Sequence, residues 1–149
     1  MHDSATIRIE EARESTFELV DAVAMLVAEL SSSASPPEAR HVGRIVASDA
    51  CHLLIARDAS GRIVGMLTLV VFPIPTGVRA WIEDVVVTAA ARGQGVGALL
   101  TREAVRVAGA EGARTVDLTS RPDRDAANRL YARLGFERRE TNVYRHSGP

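Results

Sequence analysis

The sequence predicts a mixed α/β (α+β) domain, with one mostly antiparallel central sheet of six to seven strands flanked by about four helices. Three observations carry that expectation. The first half reads as strand, two helices and an antiparallel meander, and the second half as strand, helix, strand, helix and a closing strand or hairpin, so the elements do not alternate regularly. A β-branched run, Trp81-Ile-Glu-Asp-Val-Val-Val87, passes through Arg92 and three alternate glycines straight into a helical pattern. At 149 residues the chain is most simply one domain, residues 1–149, long enough to bury a substantial core.

Thr6 to Glu10 alternates as a short first strand. Ser15 with Glu18 three residues later forms a capping box for a first helix, in which Val20, Val23, Val27 and Leu30 follow at helical spacing as far as Ser31-Ser32-Ser33. A second box, Ser35-Pro36-Pro37-Glu38, puts Pro36 at the first position of a short helix carrying Val42, Ile45 and Val46. Cys51–Arg57 and Arg62–Phe72 form a hairpin about the turn Asp58-Ala-Ser-Gly61, and Pro73 and Pro75 break the second run. The central strand is expected at Gly77 to Val87, and a helix from Gly95 to Ala110 ends at Gly112. Thr115 to Leu118 is a short strand, and Pro122 opens a last helix whose apolar face, Ala127, Leu130, Tyr131 and Leu134, stops at Gly135. Phe136 to Arg145 closes as a strand or hairpin.

Composition excludes several chemistries. A formal net charge of -1 offers no global attraction for nucleic acid or an anionic membrane. All 18 basic residues are Arg, so a Walker phosphate loop, a Schiff base and a pyridoxal site each lack their amine. Cys51 is the one cysteine, and it begins an apolar run like a small core residue. His2, His41, His52 and His146 have no metal-ligand spacing, so no metal site is expected. The N-terminus has no basic segment leading into an apolar one, which makes a cytoplasmic protein the expectation.

The glycine-rich stretch is where function is concentrated. Strand, backbone turn and helix N-terminus in succession make an anion cradle. The turn offers unpaired N–H groups, the helix adds its orphan donors and positive dipole end, and Gly93, Gly95 and Gly97 have no Cβ to keep a ligand away. Two ligand families use such a cradle. Read from Gly93, Gly-x-Gly-x-x-Ala fits a dinucleotide fingerprint, with Asp117 about 20 residues on as the ribose acid, which would suit an oxidoreductase. Read from Arg92, Arg-x-x-Gly-x-Gly resembles the coenzyme A pyrophosphate loop of the GNAT superfamily of N-acetyltransferases. Position separates them, because a dinucleotide fold opens with its fingerprint and needs further parallel strands after it. Here too little chain follows.

The resemblance extends to Asn128, Tyr131, Gly135 and Phe136, which match the second GNAT motif, and it is strong from Arg79 to Tyr144. It implies a GNAT-like sheet and acetyl-coenzyme A (acetyl-CoA) as co-substrate. Arg92, Gly93, Gln94, Gly95, Val96, Gly97 and Ala98 would hold the pyrophosphate, and Asn128 and Tyr131 would meet the pantetheine arm and the sulfur. The main chain of Val85, Val86 and Val87 would lie along the coenzyme, and a bulge late in the central strand would leave an N–H near Val86 or Val87 to polarise the acetyl oxygen.

Direct transfer to an amine then needs a base and an acid. Glu83 and Asp84 are adjacent carboxylates in an apolar strand. Adjacent strand residues face opposite ways, so one of the two is the base; Glu83 is expected over Asp84, because Ile82 to Val87 looks like the corresponding strand of glucosamine-6-phosphate N-acetyltransferases, where the Glu lies by the acceptor amine. Tyr131 is the expected acid for the departing thiolate. Arg79 and Trp81 share a strand face with Glu83 and are candidates for the acceptor site, as are Thr119, Ser120 and Arg121 at the end of the next strand. The acceptor itself, a small-molecule or peptide amine, is not named by the residues, and the resemblance leaves room for a homodimer. A module that binds acyl-coenzyme A without transfer is the alternative from another class.

Overall fold

The computed structural model describes residues 6–148. His2 lies outside them. The chain divides into two compact units, Met1–Leu118 and Thr119–Pro149.

In the first unit the strands are β1 (Arg8–Glu11), β2 (Cys51–Arg57), β3 (Ile63–Ile74), β4 (Gly77–Val87) and β5 (Val116–Asp117), in sheet order β1-β2-β3-β4-β5. Neighbours from β1 to β4 are antiparallel, and β5 runs parallel to β4 through two pairs, Ala80 with Val116 and Trp81 with Asp117. The helices are α1 (Phe17–Leu30), α2 (Ala39–Ala47) and α3 (Val96–Ala110).

The sheet buries both faces because its strands alternate against helices on either side. On one face Leu19, Val23 and Leu26 of α1 and Val42 of α2 join Leu53, Ile55, Ile63, Met66 and Val86 in one core. On the other face lies α3. A Cβ on Gly65 would come within 3.2 Å of Val96 Cγ1 and 3.3 Å of Leu100 Cδ1, so the missing side chain lets α3 sit close to the sheet. The α3 stripe of Val96, Leu100, Thr101, Ala104 and Ala108 is buried, and the Thr101 hydroxyl is satisfied by the Gly97 carbonyl at 2.7 Å. Arg57 ties the edge together, giving its guanidinium to Glu10 at 2.6 Å, to Glu18 at 2.8 Å and to the Gly61 carbonyl at 2.7 Å.

Several boundaries differ from the sequence reading. Thr16, not Ser15, caps α1, its hydroxyl accepting the Leu19 N–H at 3.1 Å, and Glu18 is drawn to Arg57 instead of closing a capping box. Pro36 is not helical. It precedes Pro37, whose ring disfavours the helical region for the residue before it, and α2 begins only after Glu38. β3 runs through Pro73 to Ile74. Opposite Pro73, Val78 turns its carbonyl to the far edge, where it accepts from the Arg114 N–H at 2.9 Å, so the ladder to β4 asks no N–H of Pro73.

In the second unit the helix is α4 (Asp125–Arg133). Pro122 does not open it. Pro122 lies in a turn closed by the Arg124 N–H on the Arg121 carbonyl, which the Asn128 side chain also caps at 3.0 Å. Gly135, at φ +91°, ends α4, and the Phe136 N–H folds back to the Tyr131 carbonyl at 3.0 Å. The expected closing strand at Phe136 to Arg145 is absent from the described residues, which therefore hold five strands rather than six to seven. Residues 137–140 are Glu-Arg-Arg-Glu, and Val143 and Tyr144 are exposed, so this stretch has neither a ladder nor a buried face to hold it extended.

Candidate active site

Strand β4 carries the first part of the site. Its pairing with β3 runs regularly as far as Thr68 with Glu83 and resumes at Met66 with Val86, so Asp84 and Val85 together oppose Leu67. That is a β-bulge. Asp84 takes φ +50°, the left-handed region, which Asp tolerates better than β-branched residues do. Before the bulge Arg79, Trp81 and Glu83 share the face of Phe72, Val70 and Thr68. Glu83 is exposed, and its Oε1 accepts the Trp81 indole N–H at 2.8 Å. Arg79 pairs with Asp117 at 2.9 Å.

Beyond the bulge the main chain of Val87 faces away from β3, since its carbonyl accepts from Arg92 Nε at 3.2 Å, while the Thr88 N–H turns back to the Val64 carbonyl at 2.8 Å. Val86, between the bulge and Val87, is turned toward Met66. β5 stops at Asp117, opposite Trp81, so β4 has no strand partner on this edge from Ile82 onward among the described residues.

The cradle follows at once. A 3-10 turn, Ala89–Ala91, leads to Arg92, and Gly93 and Gly95 both stand at φ +79°. A Cβ built on either glycine meets no atom within 4 Å. Packing therefore does not demand glycine here; the backbone conformation does, and the space above it stays clear. Gly95 caps α3 without a side chain, and the first bond of the helix is the Leu99 N–H to the Gly95 carbonyl at 3.0 Å. The N–H groups of Val96, Gly97 and Ala98 thus have no acceptor within the helix, and they lie at its positive end. Arg92 is exposed and lies 3.8 Å from Glu29 of α1, while Gln94 reaches the Ala90 carbonyl at 3.4 Å. The arrangement suits a phosphate or pyrophosphate, and it lies one short turn from the open edge of β4.

In the second unit Asn128 and Tyr131 lie three apart on α4. Tyr131 is buried and packs edge-on against Phe136, with ring centroids 5.8 Å apart. Burial pushes its hydroxyl above the usual tyrosine range, with the Arg124 charge opposing. The phenol therefore stays protonated through neutral pH.

A cleft of about 590 Å³ lies elsewhere, lined by Glu11, Arg13, Asp49, Cys51, His52 and Glu111 among others. It meets the C-terminal end of α3, which is 15 residues long and so about 22 Å from the cradle end. There His52 Nδ1 contacts Glu11 Oε1 at 2.5 Å, fastening the end of β1 to β2. Nε2 lies 3.0 Å from Glu111, outside hydrogen-bond geometry.

The family model described as the acetyltransferase (GNAT) family matches residues 15–136. The chain belongs to the GNAT acetyltransferase family. Solved structures agree with this fold. An assigned acetyltransferase from Agrobacterium tumefaciens superposes with a TM-score of 0.85 at 22% identity, covering 94% of this chain and 99% of that one. An aminoglycoside acetyltransferase from an uncultured soil metagenomic sample gives 0.84 at 20%, covering 96% of each chain. A transcriptional regulator from Bacillus halodurans gives 0.77 at 31%, covering 95% and 99%. No curated protein sequence matches the chain.

Family membership removes the dinucleotide reading of Gly93 to Ala98, and the sheet agrees, being antiparallel from β1 to β4 where a doubly wound fold is parallel. Asp117 accepts from Arg79 at 2.9 Å. Sequence reasoning missed the position of the bulge, although the Glu83-Asp84 pair was its signal: Asp is a poor strand former that accepts a left-handed backbone. It also missed the Trp81–Glu83 bond, which the two-residue spacing on one strand face permitted but did not require.

Proposed function

We propose that residues 1–149 form a single acetyl-coenzyme A-dependent N-acetyltransferase domain that passes the acetyl group directly to the amine of a small molecule or peptide, in the cytoplasm. The observation that carries the reading is the cradle from Arg92 to Ala98, where open space above two left-handed glycines adjoins unpaired N–H groups at a helix N-terminus. The coenzyme's pyrophosphate takes those donors, and its thioester carbonyl takes an N–H from the Val85–Val87 stretch, with Val87 the residue whose main chain faces the open edge. Polarising that carbonyl at a preorganised donor lowers the barrier to attack.

Glu83 is the base and Tyr131 the acid. The amine nitrogen forms a bond to the carbonyl carbon, the carbon–sulfur bond breaks, the amine proton passes to the Glu83 carboxylate directly or through one water, and the thiolate takes the Tyr131 proton. Asn128 lies on the pantetheine arm.

A second reading has its own support: the similar Bacillus halodurans structure is a transcriptional regulator, so a module that senses acyl-coenzyme A without transfer is the alternative. One experiment decides. Free thiol released from acetyl-coenzyme A is measured across a panel of amines, beside thermal stabilisation by the coenzyme alone, for wild type and Glu83→Gln. Transfer predicts thiol release that Glu83→Gln lowers at least tenfold while stabilisation is unchanged. Stabilisation without thiol release on any amine establishes the sensor instead, and turnover by Glu83→Gln equal to wild type removes Glu83 as the base.

A further inference from the structure

We infer that Trp81 is the positioning residue for Glu83, an inference that rests on the acetyl-transfer reading above. Glu83 is exposed on β4, and a glutamate there would otherwise wander among rotamers. Its one hydrogen bond among the described residues is the 2.8 Å contact from Trp81 Nε1 to Oε1. An indole has one N–H and no acceptor, so the direction of this bond is fixed. Oε1 is occupied and Oε2 is left with its lone pairs for an amine or a bridging water.

Two neighbours make the arrangement specific. Arg79 is the cation nearest along this strand face, and it is held by Asp117 at 2.9 Å, so Glu83 is oriented by a neutral donor and has no ion-pair partner among the described residues. A carboxylate steered by a neutral donor keeps a lone pair free for a proton, whereas a bidentate arginine would occupy both oxygens. On the other side the bulge at Asp84 turns the chain immediately after Glu83. Trp81 is itself half-buried, opposite Val70, so it holds the carboxylate from a braced side chain.

Trp81 is the only tryptophan in the chain, so its indole N–H gives a single cross-peak in a nitrogen–proton spectrum, readable without any substrate. In Glu83→Ala that peak moves and its exchange with water quickens; a peak that stays in place overturns the inference. With the best acceptor of the amine panel, Trp81→Phe keeps an aromatic ring and removes the donor. The expected result is kcat about 3- to 10-fold lower, the range for one hydrogen bond, with KM for the amine unchanged. In a Glu83→Gln background the same substitution has no further effect, which a merely structural loss would not reproduce. Wild-type kcat in Trp81→Phe beside a crippled Glu83→Gln overturns the positioning role alone. A Glu83→Gln enzyme as fast as wild type, or a panel with no thiol release, overturns the underlying reading instead.

Discussion

Gly95→Ala separates what the turn before α3 does for the fold from what the proposed coenzyme site requires of it. Gly95 stands at φ +79°, where a Cβ costs about 1–2 kcal/mol, and the lost freedom of the unfolded chain returns about 0.4–1 kcal/mol, leaving a net loss of about 1 kcal/mol. No atom lies within 4 Å of the new methyl, so no clash adds to this. With 149 residues at about 2.1 cal/mol/K each, the unfolding entropy is about 0.3 kcal/mol/K, and the loss appears as about 3 °C in Tm. Coenzyme A at 100 times its Kd should raise the wild-type Tm by about 9 °C, the equivalent of about 2.7 kcal/mol. If the methyl fills space the pyrophosphate needs, affinity falls at least tenfold and about half of that rise disappears. Gly61→Ala is the matched control: its φ is +88°, its Cβ also meets nothing within 4 Å, and it sits in the β2–β3 hairpin. It should lose the same 3 °C and keep the full response to coenzyme. Thermal-shift titrations of the three proteins decide the matter, and equal responses from Gly95→Ala and Gly61→Ala would refute the cradle.

Tyr131→Phe should lower the rate of thiol release at pH 7 with coenzyme stabilisation retained. Because burial raises the wild-type hydroxyl above the usual value of 10.0, the wild-type rate should show no alkaline decline from this group below about pH 10; kcat equal to wild type in the variant would refute the proposal that Tyr131 is the acid. Stability should fall on acidification. Arg57 holds Glu18 below its usual 4.5, and Arg106 does the same for Glu103, so each adds stability above about pH 4.5 that is lost as pH drops through its lowered value. Glu18→Gln should flatten that acid limb in Tm measured from pH 6 to pH 3, and an unaltered limb would show the Arg57 contact to be thermodynamically silent.

What could be read from the sequence depended on how local the deciding physics is. β4 was legible to its end residues, Gly77 and Val87, because a β-branched run bounded by glycine leaves few alternatives. The turn into α3 was legible for a similarly local reason: Gly93 and Gly95 mark left-handed backbone whatever lies around them. Proline was over-read. At Pro36, Pro73 and Pro122 the ring alone marks a boundary that the neighbours overrule: a second proline, a ladder position needing no N–H, and a turn closed on Arg121. The closing strand failed for the opposite reason, since a strand exists only with a partner, and pairing is not a property of residues 136–145 alone. The resemblance implied a bulge late in the central strand, but its position depends on the register of two strands at once, so Asp84 could mark it only as a weak strand former.

That bulge accounts for how one strand serves a core and the proposed site. Up to Ile82 the even residues of β4 face α3, with Ala80 opposite Val71 and Ile82 opposite Leu69, while Arg79, Trp81 and Glu83 face the other way. An unbroken strand would continue that alternation and put Val86 on the α3 face, leaving an odd residue opposite Met66 under α1. The extra residue at Asp84 resets the count. Val86 now sits opposite Met66 in the core with α1, and Val87 sits opposite Gly65 on the α3 face with its main chain on the open edge. Two turns of physics therefore meet at one residue: the left-handed Asp84 costs of the order of 1 kcal/mol in backbone strain, and in return Glu83 can remain in solvent while the strand three residues later is fully anchored. A regular strand could bury that segment or expose it, but the register change lets β4 do both within the span from Glu83 to Val87.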